Sequence, residues 1–281
     1  MSNSLCAINV VFLSDRPALY VCLCTDVVVG LCIYMMSNDP HRYVLLQARN
    51  PGDSVREEER QAFAERLQVN VEKISTVDML TADLNNDILD GAAALLVGGA
   101  GEYSVVNPEP AIVRAIDFLG GAVESNTPIF ASCFGFQCIV VALGGEVIHD
   151  VDGAEVGSKR IRLTTAGAED PLFSGLPGNF IAQQGHKDRA SRLPSNAVSL
   201  AYNDSAPYQA LTIKGRPVYA TQFHPELTGA TNRGRFERYI DDYGEVFGVE
   251  RAEEMLEEFQ PSPEASSLLL RFKQMLVEGR H

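Results

Sequence analysis

No cysteine follows Cys138 in this chain of 281 residues, and the six present fall at Cys6, Cys22, Cys24, Cys32, Cys133 and Cys138. A disulfide framework spreads its cysteines through the fold, so this distribution excludes one and points to a reducing, cytoplasmic setting. Basic residues are scarce too. Only 23 Lys and Arg stand against 37 Asp and Glu, a formal net charge of −14, with no cationic cluster able to hold a phosphate backbone against that field. Nucleic acid is therefore not an expected partner. Long apolar runs are also missing. The most apolar segment, "LYVCLCTDVVVGLCIYMM", is broken by Asp26 and continues for about ten residues where a membrane span needs roughly 20, so no membrane association is expected. It lacks the basic start and small-residue cleavage site of a signal peptide. Cys22, Cys24, Cys32 and His41 are metal-ligand types, but without the paired C-x-x-C spacing that marks a zinc site, and no metal is expected. Residues 1–40 thus read as an N-terminal extension of uncertain order, with Met35 or Met36 a sensible first residue for the folded unit.

What is present is ordinary core-forming sequence, 46% hydrophobic, enough for one large buried core with appendages. From Tyr43 onward, apolar runs of strand length alternate with helical periods, the pattern of a mostly parallel sheet covered on both faces. "YVLLQA", "VEKIST", "AAALLV" and "PIFAS" read as its first four strands. Ser54 and Glu57 have capping-box spacing ahead of the helix "VREEERQAFAERL", and Pro108 stands near the start of the next helix. Beyond Thr228 the chain reads as helical. Leu268, Leu269, Phe272 and Leu276 in the last segment share one face, suited to packing on their own domain or to docking a partner.

Cys133 stands where the fourth strand gives way to a helix, and open parallel sheets gather their chemistry at that edge. Its neighbours two before and two after are Ala131 and Gly135, the small residues that a sharp strand-to-helix turn presenting a nucleophile requires. The helix amino terminus favours the thiolate. Alternatively, Cys133 is a small buried hydrophobe, the commoner fate of a free cysteine. Cys138, inside an apolar helix, fits that second description better. A thiolate needs a base. Among five histidines, His224 in "PVYATQFHPE" ends a β-type run, and Pro225 restrains it beside Glu226, whose carboxylate has the reach to fix its tautomer.

"ASCFGFQ" together with "QFHPE" resembles the paired signature of class I glutamine amidotransferase domains, and the likeness covers about Tyr43 to Tyr243. "LLVGGAGE" is similar to the family's oxyanion loop, and "GHKDRASRLP" to a segment of the glutaminase part of GMP synthetases, the nearest branch. Two positions depart from the family pattern: Ala131 where glycine is usual, and Ala100 where many members have proline. The resemblance implies a three-layer, flavodoxin-like open sheet over residues 41–245, with 246–281 as a helical appendage. It implies Cys133 as nucleophile, His224 as base and then acid, Glu226 as orienter, and the backbone amides of Gly99 and Phe134 as the oxyanion hole. Gln137, Gly185 and His186 would contact the substrate, L-glutamine, whose side-chain amide is hydrolysed through a γ-glutamyl thioester. No cofactor is implied. No S-G-G-x-D-S phosphate loop occurs, so the ammonia is expected to pass to a separate ATP-dependent synthetase chain. Hydrolysis of γ-glutamyl compounds or small peptides, and a non-catalytic regulatory role, are the other readings of the same scaffold.

Overall fold

The computed structural model describes residues 8–11, 19–22, 41–241 and 248–279. The first two segments form a short antiparallel pair, β1 (Ile8–Val11) and β2 (Leu19–Cys22). Cys24, Cys32 and most of the N-terminal extension lie outside the described residues.

The rest is built on a nine-stranded sheet. Five strands run parallel in the order β4 (Ile74–Asp78), β3 (Tyr43–Ala48), β5 (Ala94–Ala100), β6 (Ile129–Ser132), β13 (Val218–Thr221). The order continues antiparallel through β12 (Ala210–Ile213), β11 (Ala197–Tyr202), β8 (Glu155–Leu163) and β9 (Asn179–His186). Only β12 and β8 run against the rest. β7 (Glu146–His149) and β10 (Asp188–Arg192) form a small separate pair.

Alternation along the central strands explains the three layers. Val44, Leu46, Leu95 and Val97 face one side, where α2 (Pro110–Glu124) and α3 (Phe134–Ala142) cover them with Ile112, Ala115, Leu119 and Ile139. Tyr43, Leu45, Ala94 and Leu96 face the other. There α1 (Val55–Leu67) supplies Phe63, Ala64 and Leu67. That second layer is completed by α7 (Pro263–Phe272): Leu268, Leu269 and Phe272 are fully buried, and Phe272 meets Phe130 of β6 edge-on at 5.3 Å. The segment expected as an appendage shares the core, and its apolar face is spent on its own domain.

Two local expectations are corrected. Ser54 makes no cap hydrogen bond, because its backbone is already helical (φ −61°, ψ −24°). Asp53 caps instead, accepting from Val55 N–H at 2.8 Å. "VEKIST" is not all strand: Val71–Lys73 form a 3-10 turn, capped by Asn70, and the strand starts at Ile74.

The remaining helices are α4 (Thr165–Glu169), α5 (Gly229–Arg238) and α6 (Val249–Leu256). The β8–β9 ribbon has the greatest bearing on the site. β8 joins β11 through only two pairs, Leu163 with Ala201 and Arg162 with Tyr202, whereas it pairs with β9 along its whole length. Freed from the sheet, the ribbon folds back so that Gln183 accepts from the His224 amide at 2.9 Å, beside the carboxyl end of β13.

Candidate active site

Cys133 occupies the single residue between β6 and α3, with φ 51° and ψ −104°. Gln68 is the other described non-glycine residue at positive φ, an ordinary left-handed helix cap at ψ 51°. Cys133 lies in neither the helical nor the left-handed well. Such a backbone costs about 1–3 kcal/mol and persists only where the surroundings hold it. They do so here on three sides. The Cys133 amide donates to Thr221 O of β13 at 2.8 Å, its carbonyl accepts from Gln137 N–H at 3.1 Å to open α3, and Gly135 lies against β5 so tightly that a Cβ there would stand 2.7 Å from Val97 O. The result is a buried thiol, 7% exposed, at the mouth of the parallel half of the sheet.

His224 comes from the next strand. Because β6 and β13 are parallel neighbours with Ser132 opposite Thr221, a residue just past each strand end falls beside the other. The His224 imidazole and the Cys133 thiol are near enough for each to feel the other's charge. His224 Nδ1 lies 2.6 Å from Glu226 Oε1. A carboxylate accepts only, so Nδ1 carries the hydrogen and Nε2 is left for the thiol. Burial opposes a charged imidazole, but a thiolate on Cys133 and the Glu226 carboxylate outweigh it and lift His224 to about 10. Burial likewise opposes the Glu226 charge, and the facing imidazolium, with help from Arg235, holds the carboxyl below its ordinary range. Cys138 is the contrast: fully buried among apolar neighbours, its thiol is pushed up and stays inert.

The other expected residues divide. Phe134 N–H heads α3 beside Cys133, where an α-helix leaves its first donors unpaired. Gln137 is buried behind the thiol, its Nε2 donating to Asp188 O at 2.7 Å. Gly185 O stands 4.0 Å from Cys133 Sγ, and a Cβ on Gly185 would be 3.9 Å from His224 Nε2. The His186 side chain is directed elsewhere: its Nε2 is 3.3 Å from Glu155 Oε2, close enough for attraction but without hydrogen-bond alignment on either ring nitrogen. Gly99 N–H is already engaged, donating at 3.0 Å to Glu59 Oε1. Glu59 is fully buried and carries a signal that the sequence reading passed over. Val55, Glu59, Phe63 and Leu67 recur at helical spacing, a carboxylate in an otherwise apolar stripe. Gln222, whose Nε2 lies 3.9 Å from Cys133 Sγ, and Asp188, which accepts from Ser104 Oγ at 2.5 Å, were also not singled out. Among the described residues no group of three potential ligands converges on a metal position, and no helix is long and apolar enough to cross a membrane.

Cys133, His224 and Glu226 are thus gathered, all buried, at the adjoining ends of β6 and β13, and the profile described as "Glutamine amidotransferase class-I" matches residues 49–239, which contain all of them. The chain belongs to the class I glutamine amidotransferase family. It is related to glutamine-hydrolysing GMP synthase subunits, with 34% identity over 128 residues to one from Methanococcus aeolicus, 46% of this chain and 66% of that one. A γ-glutamyl-L-1-hydroxyisopropylamide hydrolase from a Pseudomonas species is also 34% identical, over 146 residues, 50% of this chain and 49% of that one. The GMP synthase of Thermosipho africanus matches over 140 residues at 33%, and there the chain spans only 25% of the relative's length. Among solved structures, a glutamine amidotransferase from Thermotoga maritima superposes with a TM-score of 0.61 at 17% identity, covering 85% of this chain and 99% of that one. At that identity it speaks for the fold alone.

Proposed function

We propose that this amidotransferase domain, residues 41–245 with α7 completing its core, is a cytoplasmic glutaminase that needs no cofactor and releases ammonia from the side-chain amide of L-glutamine. The observation that carries the reading is the strained Cys133 facing a His224 that Glu226 holds in one tautomer. The thiolate adds to the amide carbon, forming a carbon–sulfur bond and an oxyanion. The Phe134 amide is placed to receive that oxyanion, and a donor in such a position is typically worth about 3 kcal/mol of barrier. His224 Nε2 then delivers its proton to the nitrogen, the carbon–nitrogen bond breaks, and ammonia leaves a γ-glutamyl thioester. Water, deprotonated by the now neutral imidazole, hydrolyses the thioester to glutamate and restores the thiolate. Gln137 shapes the wall behind the thiol, and the backbone around Gly185 is proposed to hold the amino-acid end of the substrate. For His186 the reading is restricted to its backbone, since its side chain belongs to Glu155. The Methanococcus relative, named as one subunit of a GMP synthase, supports handing the ammonia to a separate synthetase chain.

A second reading, hydrolysis of a substituted γ-glutamyl amide, is favoured by Gly185. The departing nitrogen is protonated by Nε2, so its substituent must lie beside that atom, where Gly185 leaves the space of a side chain open. Ammonia needs no such space. Purified chain given L-glutamine and, separately, a γ-glutamyl alkylamide decides between them, with Cys133→Ala as control. Cys133-dependent ammonia from glutamine is the expected result. Turnover of the alkylamide alone moves the substrate to the second reading, and wild-type activity in Cys133→Ala refutes the triad.

A further inference from the structure

The Gly99 amide would be the second oxyanion donor by family resemblance, yet its hydrogen is directed at a carboxylate. Glu59 Oε1 accepts it at 3.0 Å and also lies 3.3 Å from Arg49 Nη2, while Gln47 Nε2 donates to Oε2 at 2.8 Å. The contact is built into the fold from both sides. A Cβ on Gly98 would fall 2.6 Å from the Glu59 carboxyl carbon, and one on Gly99 would fall 3.1 Å from His224 Cε1. The loop backbone is thus wedged between the catalytic imidazole and a fully buried carboxylate, at two successive glycines. An N–H has one hydrogen, and the Glu59 carboxyl oxygen that accepts it competes directly with the substrate oxygen on which negative charge develops.

Resting on the glutaminase reading, we propose that Glu59 is a positioning residue that latches the oxyanion loop. Without substrate it withholds the Gly99 N–H, and the tetrahedral intermediate forms fully only when the Gly98–Gly99 peptide turns that hydrogen from Glu59 to the oxyanion. Glycine on both sides of the peptide permits the rotation. Arg49 Nη2, 3.7 Å from the Cβ position of Gly99, is the donor on hand for the carbonyl that rotation brings round. The latch lowers turnover of the free chain and is released by whatever draws the loop towards the thiol.

Glu59→Gln keeps the shape and weakens the acceptor, since a hydrogen bond to a charged group is about twice as strong as a neutral one. The expected result is a kcat for glutamine hydrolysis raised about five- to tenfold with KM unchanged. Affinity for L-glutamate γ-semialdehyde should rise in step. That aldehyde adds the Cys133 thiol as a hemithioacetal whose oxygen takes the oxyanion's place. Affinity for glutamate should not change. A residue that merely supports the loop would give the opposite: lower kcat and weaker aldehyde binding, and either result, or no change, overturns the latch. In case the variant does not fold, the wild-type chain labelled with ¹⁵N-glycine gives the same decision. The Gly99 amide proton should resonate downfield in the free protein and move when the aldehyde binds, and a resonance that stays put while Cys133 is occupied refutes the exchange. A wild type that neither hydrolyses glutamine nor binds the aldehyde overturns the glutaminase reading, and the latch with it.

Discussion

Gly135→Ala tests what holds the nucleophile in its pose. A Cβ at Gly135 would stand 2.7 Å from Val97 O and 2.9 Å from Val97 Cβ and Cγ1. Neither partner can yield, because Val97 is fully buried in β5, paired with Leu46 on one side and Ala131 on the other. The head of α3 must lift instead. Overpacking of this kind costs about 1–3 kcal/mol. Alanine recovers roughly 0.5–1 kcal/mol in a helix by restricting the unfolded chain. The net loss is up to about 2.5 kcal/mol, a fall in melting temperature of up to roughly 10 °C for a domain of this size. Cys133 and the Phe134 amide ride on the same turn, so a displacement approaching 1 Å carries an activity loss of about a hundredfold. Gly121→Ala, an exposed position in α2 with nothing within 4 Å of its Cβ, is the matched control and should gain the same 0.5–1 kcal/mol without an activity change. Thermal melts and glutamine hydrolysis on both variants suffice. Equal melting temperatures and equal activity would refute the claim that packing of α3 on β5 fixes the thiol.

Phe272→Ala removes a fully buried ring seated on Phe130 and should cost about 3–5 kcal/mol in urea titrations, whereas a loss under about 1 kcal/mol would make the C-terminal helix peripheral after all. Glu226→Gln removes one of the two charges that lift His224 to about 10 from an ordinary 6.5. A raised histidine contributes stability in full below the ordinary value and loses it as pH climbs through the raised one. In the wild type both that stability and the imidazolium that the proposed mechanism needs to protonate the departing nitrogen therefore fade only towards about 10, and in the variant the alkaline limb of kcat should begin at lower pH. An unmoved limb would show that Glu226 does not set the imidazole charge.

Much of the parallel half was legible because local and tertiary forces agree there. "YVLLQA" is apolar on both faces, as a strand covered twice must be, and it forms β3 without a residue's error. Cys133 was readable from its small flanking residues, and His224 with Glu226 from the proline that pins them. The antiparallel half was not. β8 and β9 read "EVGSKRIRL" and "NFIAQQGH", with charged and amide residues facing inward to hydrogen-bond partners such as Gln209 and Ser262 that lie far away in sequence. Polar burial satisfied at long range leaves no hydrophobic period to detect. Glu59 differs: Val55, Phe63 and Leu67 frame it at helical spacing, but an acidic residue on a helix rich in charge looks solvated until the sheet edge above it is known. The capping box at Ser54 failed because Asp53, one residue earlier, had an equally good acceptor.

The two halves of the sheet hold the site with unequal stiffness. The strain at Cys133 is held by Thr221 of β13, Val97 of β5 and Gln137 of α3, all buried, the first two on strands paired on both sides. Any substitution that relaxes them releases the strained backbone and spoils the nucleophile together, so tolerance to change should be low at each. The wall opposite is the β8–β9 ribbon, tied to the sheet by two residue pairs and reaching the triad mainly through backbone, Gln183 O to His224 N–H and Gly185 O beside the thiol. Backbone contacts place few demands on side-chain identity. On the proposed mechanism, the parallel half fixes the geometry of attack, while the ribbon sets the shape offered to the leaving group.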